Sequence, residues 1–153
     1  MPDIHAIQQE IIDEFALFED WTERYKYIID LGRDLPELKT EEMVAENLVK
    51  GCQSQVWLMA NEEDGNIVYR VNSDAAIVKG LAALLVRVYS NQTADTILNI
   101  EPEFISKIGM HEHLSPTRSN GLAAMLKQIK LFAAVIKQRK TFTLTEPNTQ
   151  PKQ

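Results

Sequence analysis

The chain has 153 residues, 44% of them hydrophobic, which is the size and apolar content of one domain with its own core and too little for two. Its 16 Lys and Arg against 22 Asp and Glu leave a net charge of −6, with no basic stripe that would track phosphates, so nucleic acid is a poor partner. A single cysteine excludes a disulfide framework within the chain and favours a reducing compartment.

The opening residues, MPDIHAIQQE, have neither the basic start nor the apolar run of a signal peptide. The longest apolar region, Ala75 to Tyr89, is interrupted by Lys79 and Arg87 and falls short of a bilayer span, so a cytoplasmic protein without a membrane partner is expected. Asp3 is placed to cap a first amphipathic helix reaching about Phe18. Asp20 is placed to cap a second, in which Trp21, Tyr25, Ile28, Leu31 and Leu35 recur at helical spacing until Pro36 stops it. From Pro36 to Lys50 the signals are mixed: TEEMVAENLV reads as a helical turn at its start, while NLV before Gly51 reads equally as a short first strand.

Val56 to Ala60 and Ile67 to Val71 are β-rich runs, and the NEEDGN between them holds an Asp64-Gly65 pair suited to a turn with positive φ; together they predict a hairpin. Ser73 or Asp74 is the candidate cap of AAIVKGLAALLVRVY, apolar nearly all round and hence the central helix of the core. TADTILNI and PEFISKIGM read as short helical connectors, the second with Pro102 at its first helical position. A last long helix starts at Ser115-Pro116, with Leu122, Met125, Leu126, Ile129, Ala133 and Ile136 on one stripe and Lys137, Arg139 and Lys140 at its carboxyl end. Past Thr141 the period is lost, which predicts one domain over 1–140 and a disordered tail over 141–153. The strands cluster locally and do not alternate with helices, so the expected class is α+β: a small antiparallel sheet of about three strands with helices packed mainly on one side.

The chemistry concentrates in KGCQSQVWL. An unpaired cysteine is most often a small buried hydrophobe, but the neighbours of Cys52 argue for a loop. Gly51 allows a backbone turn that a side chain would resist, and Gln53, Ser54 and Gln55 carry groups suited to water rather than to an apolar interior. An accessible loop thiol is a nucleophile only as far as it is thiolate, and Lys50, two residues away, either favours that charge or is merely solvated. His111 and His113 are two residues apart, without the four-residue spacing that puts two ligands on one helix face, so no metal is expected. There is no glycine-rich phosphate loop, nucleophile elbow or triad spacing to suggest a bound coenzyme.

GCQSQVWL, followed by NSDAAIVKGL and HLSPTRSNGL and preceded by RYKYIIDLGRDLPEL, resembles the SufE family of sulfur acceptors in order and spacing, over about Trp21 to Ile136. The resemblance implies a persulfide relay in which a SufS-type cysteine desulfurase, carrying its own pyridoxal phosphate, passes sulfur to Cys52. From there it goes to an iron–sulfur scaffold protein, of a class that shares the family's fold. On this resemblance the chain is a sulfur-transfer accessory protein that stimulates the desulfurase and is not itself an enzyme with small-molecule turnover. Arg118 matches the family's arginine, whose permanent charge suits a thiolate, a persulfide or an acidic group on the partner; the bland alternative is a solvated arginine near a helix start. Gly51, Gln53 and Ser54 are the loop support, and Asp74 and Lys50 the candidate partner surface. Asp74, Lys79 and Gly80 also match the family, yet each has a structural account as cap, solvated lysine and close-packing glycine.

Other readings stay open: a noncatalytic adaptor in which Cys52 only packs, or a carrier serving a different sulfur pathway. A cluster scaffold would need several thiolates and a redox protein a resolving cysteine, and one cysteine per chain supplies neither.

Overall fold

The computed structural model describes residues 3–36 and 38–145. Helix α1 spans Ile4–Phe15 and α2 Trp21–Arg33; Asp3 and Asp20 cap them, accepting from the backbone N–H of His5 at 3.1 Å and of Glu23 at 2.9 Å. α1 ends three residues earlier than the sequence suggests, and tighter turns at Leu17 and Phe18 carry the chain toward α2.

Strands β1, Val56–Glu63, and β2, Asn66–Ser73, pair antiparallel from Val56↔Ser73 to Glu63↔Asn66. Asp64 and Gly65 form the turn with φ of +54° and +84°, the backbone that this residue pair favours. Among the described residues the sheet has two strands, not about three. The stretch expected as a further strand makes a single bridge, Leu48↔Trp57, backed by a 2.8 Å bond from Val49 N–H to the Val56 carbonyl. The cause is local: Thr40–Glu42 and Ala45–Asn47 coil into 3₁₀ turns before it, and Gly51 at φ +93° turns the chain away after it.

Alternation along the strands puts Val56, Leu58, Ile67, Tyr69 and Val71 on the buried face, where the Tyr69 hydroxyl donates to the Ile129 carbonyl at 2.6 Å. The other face is half-buried under the 40–47 segment, held by the two-pronged Arg70–Glu42 pair at 2.9 and 2.7 Å.

Helix α3, Ala76–Tyr89, is the central helix, buried without a break from Gly80 to Leu85. It crosses α2 so closely that a Cβ on Gly80 would stand 2.0 Å from the Ile28 carbonyl oxygen, and one on Gly32 2.8 Å from the Gly80 nitrogen. Gly80 is therefore the close-packing glycine that the sequence suggests. The expected cap of α3 is corrected: Ala75 holds the cap position without a side-chain bond. Ser73 Oγ accepts from the Ala75 N–H at 3.2 Å, while Asp74 turns away to the Gln55 N–H.

Helices α4, Ala94–Asn99, and α5, Glu103–Lys107, are the connectors, with Pro102 at the cap position of α5 rather than inside it. Helix α6 spans Pro116–Thr145, four residues beyond Thr141, because adding a turn to an existing helix needs only backbone bonds and not the apolar period that fades there. The rest of the expected tail, 146–153, lies outside the described residues. No described helix is long and apolar enough to cross a membrane.

Candidate functional site

The loop of residues 50–55 is closed at its base by the Val49–Val56 bond and tied at its far end to the start of α3. Gln55 N–H donates to Asp74 Oδ1 at 3.1 Å, and the Gln55 carbonyl accepts from Ser73 Oγ at 2.8 Å and from the Asp74 N–H at 3.3 Å. Gly51 is required twice over: its φ is +93°, and a Cβ there would press to 3.3 Å from Ala124 Cβ on α6. This turn drops the Cys52 side chain onto α6, half-buried, with its thiol donating to the Gly121 carbonyl at 3.6 Å.

Beneath the loop lies a cleft of about 430 Å³ between the first turns of α3 and α6. Ile77, Val78 and Leu81 from α3 and Leu122 and Met125 from α6 give it an apolar floor; Gln53 and Ser54 from the loop, Ser115 just before α6, and Thr117 and Arg118 from its first turn give it a polar rim. Cys52 and Arg118, 66 positions apart in sequence, are thus brought to one cleft. Arg118 is exposed, and its backbone N–H donates to Ser115 Oγ at 3.2 Å, which fixes the helix start that carries it.

Burial pushes the Cys52 thiol above the ordinary cysteine pKa. Thiolate is a small minority at neutral pH in this conformation, because a charged sulfur would lose water and face a carbonyl oxygen. In this conformation the site therefore holds a neutral thiol.

Of the other residues singled out from the sequence, Asp74 lies outside the cleft and acts on it through Gln55, and Lys50 is exposed and does not line it. His113 stacks on the Trp21 ring with centroids 4.3 Å apart, tying α2 to the segment before α6. No group of three metal-binding side chains occurs among the described residues. Gly121 went unnoticed in the sequence, although its signal was present: a glycine inside a helical period costs about 1 kcal/mol against Ala and calls for a packing reason.

A family model described as "Fe-S metabolism associated domain" (SufE) matches residues 9–133. An uncharacterized SufE-like protein of Rhizobium meliloti (strain 1021) is 42% identical over 126 residues, covering 79% of this chain and 90% of its own length. Another, of Rhizobium etli, is 44% identical over 135 residues, covering 85% and 91%. The solution structure of a hypothetical protein from Thermus thermophilus superposes with a TM-score of 0.70 over 90% of this chain and 96% of that one; at 22% identity it speaks for the fold alone. With a matching family model over most of its length and relatives above 40% identity, the chain belongs to the SufE family of iron–sulfur metabolism.

Proposed function

We propose that this protein is a persulfide carrier that takes sulfur from a pyridoxal-phosphate cysteine desulfurase on Cys52 and gives it to an iron–sulfur scaffold, stimulating the desulfurase by draining its product. The observation that carries this reading is the placement of the chain's single cysteine on a glycine-turned loop over an apolar-floored cleft with Arg118 on its rim. In the transfer, the Cys52 thiolate attacks the outer sulfur of the persulfide on the desulfurase's own cysteine. A sulfur–sulfur bond forms on Cys52, the donor's sulfur–sulfur bond breaks, and its electron pair leaves on the donor thiolate. That thiolate regains one proton for the one Cys52 gave up, so the exchange needs no outside oxidant or reductant.

The chain's own residues divide the work. The closed loop keeps the thiol neutral and away from stray electrophiles; docking of the desulfurase lifts the loop between its anchors at Val49 and Gln55, and the Arg118 guanidinium then faces either the sulfur anion or an acidic group of the partner. Lys50 at the start of the loop and Asp74, bonded to its last residue, are exposed charged groups for that docking. The apolar floor shelters the loaded sulfur from water until a scaffold arrives.

The half-burial of Cys52 favours one competing reading, an adaptor in which the thiol only packs. Cys52→Ser separates the two. A carrier loses its stimulation of desulfurase turnover while still binding the enzyme, whereas an adaptor keeps both; retention of full stimulation by the serine variant overturns the proposal.

A further inference from the structure

We infer that Gly121 is a positioning residue for the sulfur cargo: its carbonyl holds the empty thiol, and its missing Cβ leaves the room in which the added sulfur swings away from that carbonyl toward the apolar floor. The inference rests on the carrier reading of Cys52 and adds to it where the transferred atom goes. The geometry leaves little choice. The thiol proton points at an oxygen 3.6 Å from Sγ, and a second sulfur placed along that direction at a bond length of about 2.05 Å would come within roughly 1.6 Å of the oxygen, far inside contact. Loading therefore breaks the Cys52–Gly121 hydrogen bond, and the outer sulfur rotates about the Cβ–Sγ bond to find space.

That space is bounded on the α6 side by Gly121 itself. A Cβ at this position would meet nothing nearer than Cys52 Sγ, at 3.8 Å, an ordinary contact. An alanine is thus compatible with the empty thiol, but it fills part of the volume through which a sulfur bonded to Sγ must turn. Beyond it lie Leu81, Leu122 and Met125, apolar and buried, which offer the sulfur a surface without hydrogen-bonding groups. Loaded and empty proteins then differ at the face where the loop rests on α6.

Gly121→Ala, loaded with inorganic polysulfide so that no desulfurase is involved, tests this. Alanine favours the helix, so the variant folds. The empty Gly121→Ala protein should melt no lower than the wild-type chain, while its persulfide is lost about ten-fold faster or more, the scale that one overpacked methyl sets. In the wild-type chain, loading should shift the carbon resonances of the Gly121 carbonyl and the Met125 methyl, a readout that a glycine needed only for helix packing would not move. Equal persulfide lifetimes in the two chains, or unmoved resonances on loading, overturn the inference. Loading by polysulfide but not by a desulfurase defeats the relay and leaves the role of Gly121 to be judged on these readouts; loading by neither defeats both.

Discussion

Replacing Gly80 by Ala perturbs the packing that positions one wall of the cleft. The new Cβ would stand 2.0 Å from the Ile28 carbonyl oxygen and 2.6 Å from its carbon, both backbone atoms, so no side chain can turn aside and α2 and α3 must separate. Overpacking usually costs about 1–3 kcal/mol, and here, where backbone must move, about 3–4 kcal/mol; the gain of about 1 kcal/mol from the better helix former leaves a net loss of about 2–3 kcal/mol. At roughly 2–4 °C per kcal/mol for a chain of this size, the melting midpoint should fall by about 5–10 °C. Because α3 also carries Ile77, Val78 and Leu81 into the cleft, the same variant should expose Cys52 and raise its alkylation rate in the folded protein. Thermal unfolding followed by circular dichroism, with thiol alkylation well below the transition, reads both. A midpoint unchanged within error would refute the close crossing of α2 and α3.

Three other outcomes follow from named contacts. Alkylation of Cys52 in the free protein should rise with pH along a curve centred above the value of about 8.5 of an ordinary cysteine, because burial disfavours the thiolate; a midpoint at or below that value would contradict the neutral resting thiol. Asp74→Ala removes the acceptor for the Gln55 N–H and should speed alkylation several-fold and exchange of the Gln55 amide with solvent, with little change in the melting midpoint; an unchanged rate would mean that this bond does not hold the loop. The Arg70 guanidinium holds the Glu42 carboxyl at a pKa of about 2, and the Arg87 guanidinium holds that of Glu14 below the usual range. Folded values below unfolded ones mean that both pairs stabilise fully above the unfolded carboxyl pKa of about 4.3 and that this contribution is lost as pH falls toward 2. Melting midpoints across that window should drop less steeply in Glu42→Gln than in the wild-type chain, and identical slopes would count against the pair.

Elements governed by local chemistry were legible from residues alone. Asp3 and Asp20 cap their helices as read, Asp64-Gly65 makes the hairpin turn, and the apolar run after Ala75 is the central helix. What failed were features decided by the rest of the molecule. NLV has strand-like residues, but whether it forms a strand depends on the turns on either side, and it makes one bridge. Ser73 and Asp74 are good capping residues by type, yet both are drawn to Gln55 because the cysteine loop returns beside them. At the site, Cys52 could be singled out by the glycine and amides around it, and Arg118 through the family pattern, while Gly121 shows in the sequence only as a glycine within a helical period and the floor residues only as apolar positions of two helices. Their part depends on how α3 and α6 meet, which the helical period of either segment does not specify.

The central claim is that Cys52 carries sulfur. The most direct measurement is the intact mass of the protein after incubation with a cysteine desulfurase and free cysteine, before and after reduction, with peptide mapping of the modified residue. The account predicts a gain of sulfur that maps to Cys52, disappears on reduction and is absent in Cys52→Ser; an unmodified Cys52 beside a desulfurase that binds the protein and turns over would contradict it.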